Sequence, residues 1–138
     1  MHLTSKTALD TIRAMARHQA VLTIEPGQVI FRSGDRGDCL YGVLEGSVEL
    51  EWNAGEMTER IGPGETFGIG AFLDPEHRRF GTARAMSEGK LLVMNQQEFL
   101  FAVQETPMFA LEMLQSLGAR LRDLKRRVQD QLGTADSL

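Results

Sequence analysis

The middle of the chain alternates apolar and polar residues in short runs. Val48, Leu50 and Trp52 fall on one side of an extended segment and Glu49 and Glu51 on the other, which is the period of a half-buried strand. Comparable runs surround it: Val21, Leu22 and Ile24; Val29 to Phe31; Leu40 to Leu44; Met57 to Ile61; Thr82 to Ala85; and Lys90 to Asn95. Turn signals separate them, including Pro26-Gly27, Ser33-Gly34-Asp35, Glu45-Gly46, Asn53-Ala54-Gly55, Gly62-Pro63-Gly64 and Ser87-Glu88-Gly89. About six to eight such strands, with a turn every eight to twelve residues or so, predict a mainly β domain of the jelly-roll or small-barrel type. No helix-length segment lies between the strands, which excludes βαβ units.

Helical periodicity flanks this region. Ala8, Ile12, Met15 and Ala16 share one face of a helix expected over Thr7 to His18, with Thr4 or Ser5 as its cap. After Asn95 a short helix is expected from Gln96 to Val103. A longer one starts at Pro107, with Thr106 as its cap, runs to about Leu132 and stops at Gly133. Leu111, Leu114, Leu117, Leu121, Leu124, Val128 and Leu132 recur every three or four residues along it, a coiled-coil-like stripe. A helix of about 26 residues is roughly 39 Å long, more than a small barrel covers. The stripe therefore predicts a homodimer through this helix, with packing on its own barrel as the other reading.

The chain has 138 residues, the size of one domain. It divides into an N-terminal helical segment (1–19), a β-barrel (20–95), C-terminal helices (96–132) and a tail (133–138) expected to be disordered. The net charge of −4 argues against nucleic-acid binding by the chain as a whole. No run approaches the roughly 20 apolar residues of a membrane span, and no signal peptide is visible. With a single cysteine, Cys39, these features predict a cytoplasmic protein without membrane association. His2, His18 and His77 are scattered, so no metal site is expected. No nucleophile–base pair is recognisable either, so the chain is not expected to be an enzyme, and it has no catalytic residue to nominate.

The chemistry concentrates between Phe67 and Ala85. Gly68, Gly70 and Gly81 let backbone N–H groups approach an anion closely, and an arginine can grip phosphate oxygens in bidentate fashion. The candidate anion seat spans Gly68 to Gly81. Arg79 has a plain structural reading as well, a surface arginine on a hairpin tip paired with Asp74 or Glu76. Arg120, Arg122, Lys125, Arg126 and Arg127 make the long helix basic, which suits a solvated face better than a docking patch for an acidic protein partner.

From about Leu22 to Leu132 the chain resembles the cyclic-nucleotide-binding domains of the catabolite-activator and kinase-regulatory-subunit superfamily. Ile24-Glu25-Pro26-Gly27 with Val29-Ile30-Phe31 resembles the family's opening. Gly34-Asp35-Arg36-Gly37-Asp38 with Leu40-Tyr41, then Val43-Leu44-Glu45-Gly46-Ser47-Val48, follow its order, and Gly62-Pro63-Gly64-Glu65 leads through Phe67-Gly68 into its phosphate-binding cassette. The resemblance implies an eight-stranded jelly-roll barrel (a double-stranded β-helix), a small-molecule-sensing regulatory role, no cofactor, and a cyclic nucleotide or other anionic ligand. It makes Gly68, Ile69, Gly70, Arg79, Phe80 and Gly81 the expected ligand-binding residues of the cassette: Arg79 stands where the phosphate-binding arginine belongs, with Arg78 as substitute if the loop is one residue shorter. Ile69 replaces the glutamate that takes the ribose 2′-hydroxyl, and Phe80 replaces a small residue beside the phosphate. Leu121, Leu124 and Lys125 lie near the position on the long helix that covers the base, Leu124 being the expected lid. The family's DNA-binding module is not expected here. The departures at Ile69 and Phe80 also admit an alternative, a degenerate domain that binds nothing and serves dimerisation or protein docking.

Overall fold

A computed structural model describes residues 9–12 and 20–136, and the strand periodicities of the sequence become eight strands there. They are β1 (Ala20–Ile24), β2 (Val29–Phe31), β3 (Cys39–Glu45), β4 (Val48–Trp52), β5 (Met57–Ile61), β6 (Thr66–Phe67), β7 (Thr82–Ala85) and β8 (Gly89–Asn95). Helix α1 (Gly70–Leu73) interrupts them, and α2 (Gln96–Glu105) and α3 (Met108–Asp136) follow. The strands form two four-stranded antiparallel sheets, ordered β1-β8-β3-β6 and β2-β7-β4-β5. The expected single barrel is thus resolved into two jelly-roll-like sheets, and no ladder joins one to the other among the described residues.

The alternation seen in the sequence sets this architecture. Tyr41 and Val43 of β3, Val48 and Leu50 of β4, Phe67 of β6, Ala83 and Ala85 of β7 and Leu91 of β8 meet in one core between the sheets. The opposite face of β3 and β8, with Leu40, Leu92 and Met94, is covered by Leu9 and Ile12, by Ala102 of α2 and by Phe109 and Met113 of α3. These two central strands are buried on both faces, which is why they read as nearly continuous apolar runs. Gly42 permits the close approach of the N-terminal helical residues, because a Cβ there would stand 2.4 Å from Leu9 Cδ1.

Of the helix expected over Thr7 to His18, residues 9–12 are helical; its remaining residues, the caps Thr4 and Ser5, His2 and His18 lie outside the described residues. Helix α2 starts from a capping box, in which Asn95 accepts from the Glu98 amide and Glu98 accepts from the Asn95 amide. It runs two residues beyond the expected end, to Glu105. Helix α3 does not stop at Gly133 but continues to Asp136, so the tail expected from residue 133 is helical over most of its length. Gly133 does not have the positive φ of a terminating glycine, and an interior glycine costs a helix only about 1 kcal/mol.

Two polar contacts tie α3 to the open side of the sandwich. Arg120 holds Glu59 of β5 side-on, Nε to Oε1 at 2.9 Å and Nη2 to Oε2 at 3.2 Å, and reaches the Thr66 carbonyl of β6 through Nη1 at 3.4 Å. Arg127 donates to the Thr58 carbonyl at 2.6 Å. The helix therefore bridges the edge strands of both sheets. No helix among the described residues is long and apolar enough to cross a membrane.

Candidate functional site

The segment from Phe67 to Thr82 leaves the first sheet, turns through α1 and returns along the loop that contains Gly34 and Gly37. Arg79 N donates to Asp35 O at 2.7 Å, Gly34 N to Arg79 O at 2.8 Å, and Gly37 N to His77 O at 2.8 Å. A bridge between Arg36 and Arg78 fixes the register. Side chains alternate along an extended segment, so the two neighbouring arginines point in opposite directions. Arg78 is on the surface, bound to Gly34 O at 2.9 Å and to Glu76 at 3.5 Å. Arg79 turns inward and is 4% exposed. The surface-tip pairing with Asp74 or Glu76 thus belongs to Arg78 and its backbone, and not to Arg79.

Arg79 enters a seat that two glycines keep open. A Cβ at Gly37 would lie 2.1 Å from Arg79 Nε, and one at Gly68 would lie 2.9 Å from Nη1. Gly68 also has φ of 93°, a conformation that other residues rarely adopt. The guanidinium carbon lies 4.2 Å from the centroid of the Phe31 ring and 5.7 Å from that of Tyr41. Nη1 donates to the Gly68 carbonyl at 2.8 Å and Nη2 meets Cys39 Sγ at 3.6 Å. Nε is buried without a hydrogen-bond partner, and no carboxylate pairs with the group among the described residues. Burial beneath the same aromatic layer pushes the Tyr41 hydroxyl well above the usual tyrosine range, with its contact to Cys39 acting in the same direction.

Beside Arg79 lies a hollow of about 230 Å³. Gly68, Ile69, Gly70, Arg79, Phe80 and Gly81 all line it, so six of the seven expected binding residues are brought together. Phe80 is 53% exposed and its ring rests against Gly70, where a Cβ would be 2.8 Å from Cδ2; it walls the hollow without entering the core. Leu124 is not part of this wall. It faces a separate shallow surface with Lys125, Val128 and Gln129, and the long helix contributes Leu117 and Arg120 to the hollow in its place. Phe31, Leu50 and Trp52 complete the opposite side.

Sequence reasoning did not find Arg120, Trp52 or Glu59. The Trp52 indole N–H donates to Glu59 Oε2, while Glu59 accepts Arg120, so one buried carboxylate holds a wall residue from each side of the hollow. The available signal was a glutamate on a strand position that alternation turns inward. Glu59 is indeed 7% exposed, and a buried glutamate needs a cationic partner.

The cyclic nucleotide-binding domain family matches residues 21–106. The chain is 30% identical over 138 residues to a putative potassium channel protein of Rhodopseudomonas palustris, covering 98% of this chain and 32% of that one. It is 35% identical over 101 residues to the cyclic AMP receptor protein of Thermus thermophilus, covering 70% of this chain and 46% of the relative. The chain thus spans about a third to a half of these curated relatives. The solved catabolite activator protein of Thermus thermophilus superimposes with a TM-score of 0.71 at 27% identity, over 87% of this chain and 58% of that structure.

Proposed function

The chain belongs to the cyclic nucleotide-binding domain family, and on that premise we propose that it is a sensing module whose ligand is a 3′,5′-cyclic nucleotide bound in the hollow between Gly68 and Gly81. One observation carries this reading. Arg79 is a buried cation with an orphaned N–H and no carboxylate partner. A buried charge is costly unless it is paired, and a cyclic phosphate supplies the missing negative charge with oxygens suited to the guanidinium fork. The residues between Arg79 and the long helix are apolar, as a purine face requires.

Residues 20–95 act as the frame, the two sheets forming the halves of a jelly roll. The C-terminal helices read out the ligand, because Leu117 and Arg120 of α3 wall the hollow and α2 connects α3 to β8. A ligand shifts the helix only as far as it binds one helix position better than another. In a homodimer, the exposed Leu114, Leu121 and Val128, spaced by seven residues, form the seam through which that shift reaches the second subunit. With Ile69 in place of an acceptor, the ribose 2′-hydroxyl forgoes a charge-assisted hydrogen bond of about 1.5–3 kcal/mol. Affinity should therefore lie about one to two decades below that of a site with such an acceptor. The open hollow favours this reading over a non-binding docking domain.

Isothermal calorimetry with cyclic AMP and cyclic GMP tests it. Saturable heat that disappears in Arg79→Met is expected; no heat with either nucleotide at millimolar concentration overturns it.

A further inference from the structure

We propose that Arg120 reads the base, and that the hollow therefore selects a guanine cyclic nucleotide over an adenine one. This deepens the reading above and rests on it. The described wall of the hollow contains no carboxylate, amide or hydroxyl side chain. Its polar side chains are Arg79, Arg120 and the Trp52 indole, and the indole N–H is already committed to Glu59. Arg79 is the buried phosphate partner, so the polar edge of the base is left with Arg120.

The geometry of Arg120 decides which base that is. A guanidinium has two edges able to donate a pair of parallel hydrogen bonds. Glu59 occupies the side-on edge through Nε and Nη2. The end-on edge, Nη1 with Nη2, carries only the long 3.4 Å contact to the Thr66 carbonyl, so N–H donors remain on it. Guanine presents O6 and N7 as adjacent acceptors, which match two parallel donors. Adenine presents N7 beside an N6 amino donor, which opposes them. The Glu59 pairing also holds the fork in place, since two of its nitrogens are fixed to one carboxylate. Ordinary arginine freedom is therefore already removed before a ligand arrives.

The same arrangement explains why this long-helix residue matters more than the leucines one and four positions further along. Leu121 and Leu124 offer only surface to a base, whereas Arg120 distinguishes donor from acceptor. Base identity is then sensed by the residue that ties α3 to β5, and recognition and helix position share one side chain.

The test is calorimetric titration of the whole chain with cyclic GMP, cyclic IMP and cyclic AMP, alongside Arg120→Lys. Cyclic IMP keeps O6 and N7 but lacks the 2-amino group. Cyclic GMP and cyclic IMP are expected to bind about five- to hundredfold more tightly than cyclic AMP. Arg120→Lys keeps a cation for Glu59 but has no fork, and should bring the three nucleotides within about threefold of one another. Should that variant not fold, Glu59→Gln combined with Arg120→Gln removes both charges together. A glutamine amide matches adenine N6 and N7, so this variant should level or invert the order. Equal affinities, or a cyclic AMP preference, in the unaltered chain overturn the inference while leaving the sensing role intact. A guanine preference that survives Arg120→Lys overturns the assignment to Arg120. Failure of all three nucleotides to bind overturns the inference together with the reading beneath it.

Discussion

Replacing Arg79 by methionine separates a binding role from a structural one. The substitution removes one charge-assisted hydrogen bond, Nη1 to the Gly68 carbonyl at 2.8 Å, worth about 1.5–3 kcal/mol. It also removes a cation–π contact with Phe31, worth up to about 2 kcal/mol where desolvated. Against these losses stands the desolvation of a guanidinium that is 4% exposed and has no carboxylate, a cost of several kcal/mol. Methionine fills similar length with flexible apolar volume and tolerates the aromatic neighbours. The opposing contributions nearly cancel, so the free protein should change in stability by no more than about 1–2 kcal/mol in either direction. Nucleotide affinity, by contrast, should fall at least about a hundredfold, because the proposed partner of the phosphate is gone. Urea denaturation followed by the fluorescence of Trp52, the chain's single tryptophan, gives the first number, and calorimetry the second. A loss above about 3 kcal/mol in the free protein with nucleotide affinity retained would refute the reasoning, since Arg79 would then be a structural brace.

Further outcomes follow from other contacts. Gly37→Ala drives a methyl group to 2.1 Å from Arg79 Nε and should cost about 1–3 kcal/mol in denaturation midpoints, with weakened nucleotide binding. Glu59→Ala leaves Arg120 and the Trp52 indole without their shared acceptor; a loss of about 2–4 kcal/mol and a shift in Trp52 emission are expected. Stability should decline with pH above about 10, because Tyr41 holds its proton more tightly when folded than when unfolded, and the unfolded state releases it first. Denaturation midpoints compared with the tyrosinate absorbance of this one tyrosine check the sign. Leu121→Glu, at a position 57% exposed, should convert the proposed homodimer to a folded monomer in sedimentation velocity runs, with a thermal midpoint that no longer depends on protein concentration.

Strands were legible where burial imposed a period. The alternation in Val48 to Trp52 corresponds to β4, and the unbroken apolar runs around Tyr41 and Leu92 correspond to strands covered on both faces. Thr66–Phe67 was not legible as a strand, because two residues cannot display alternation; its pairing with Tyr41 and Gly42 comes from the partner strand. Among the two arginines of the cassette, family spacing favoured Arg79, but its burial depended on the bridge between Arg36 and Arg78, a contact remote in sequence. For the long helix the apolar stripe misled: Leu111, Leu114, Leu121, Val128 and Leu132 are exposed, and Arg120, read as part of a solvated basic face, packs against β5 beside Leu117. The hollow meets the helix at Leu117 and Arg120, one to two turns before the expected Leu124. The Glu59–Arg120 pair joins positions 61 residues apart, which no local pattern encodes.

Beyond Arg127 the residues of α3 from Val128 to Gly133 are all exposed, while Arg120 and Arg127 fasten the preceding turns to the sheets. Under the proposed readout the projecting arm of this helix begins at Arg127, which fastens it to the sheets, and would act as a lever from there. From Arg127 to its end at Asp136 it extends about 14 Å, so a tilt of about ten degrees sweeps the tip through about 2 Å. A displacement at the hollow too small to disturb the sandwich would then be carried outward along the arm.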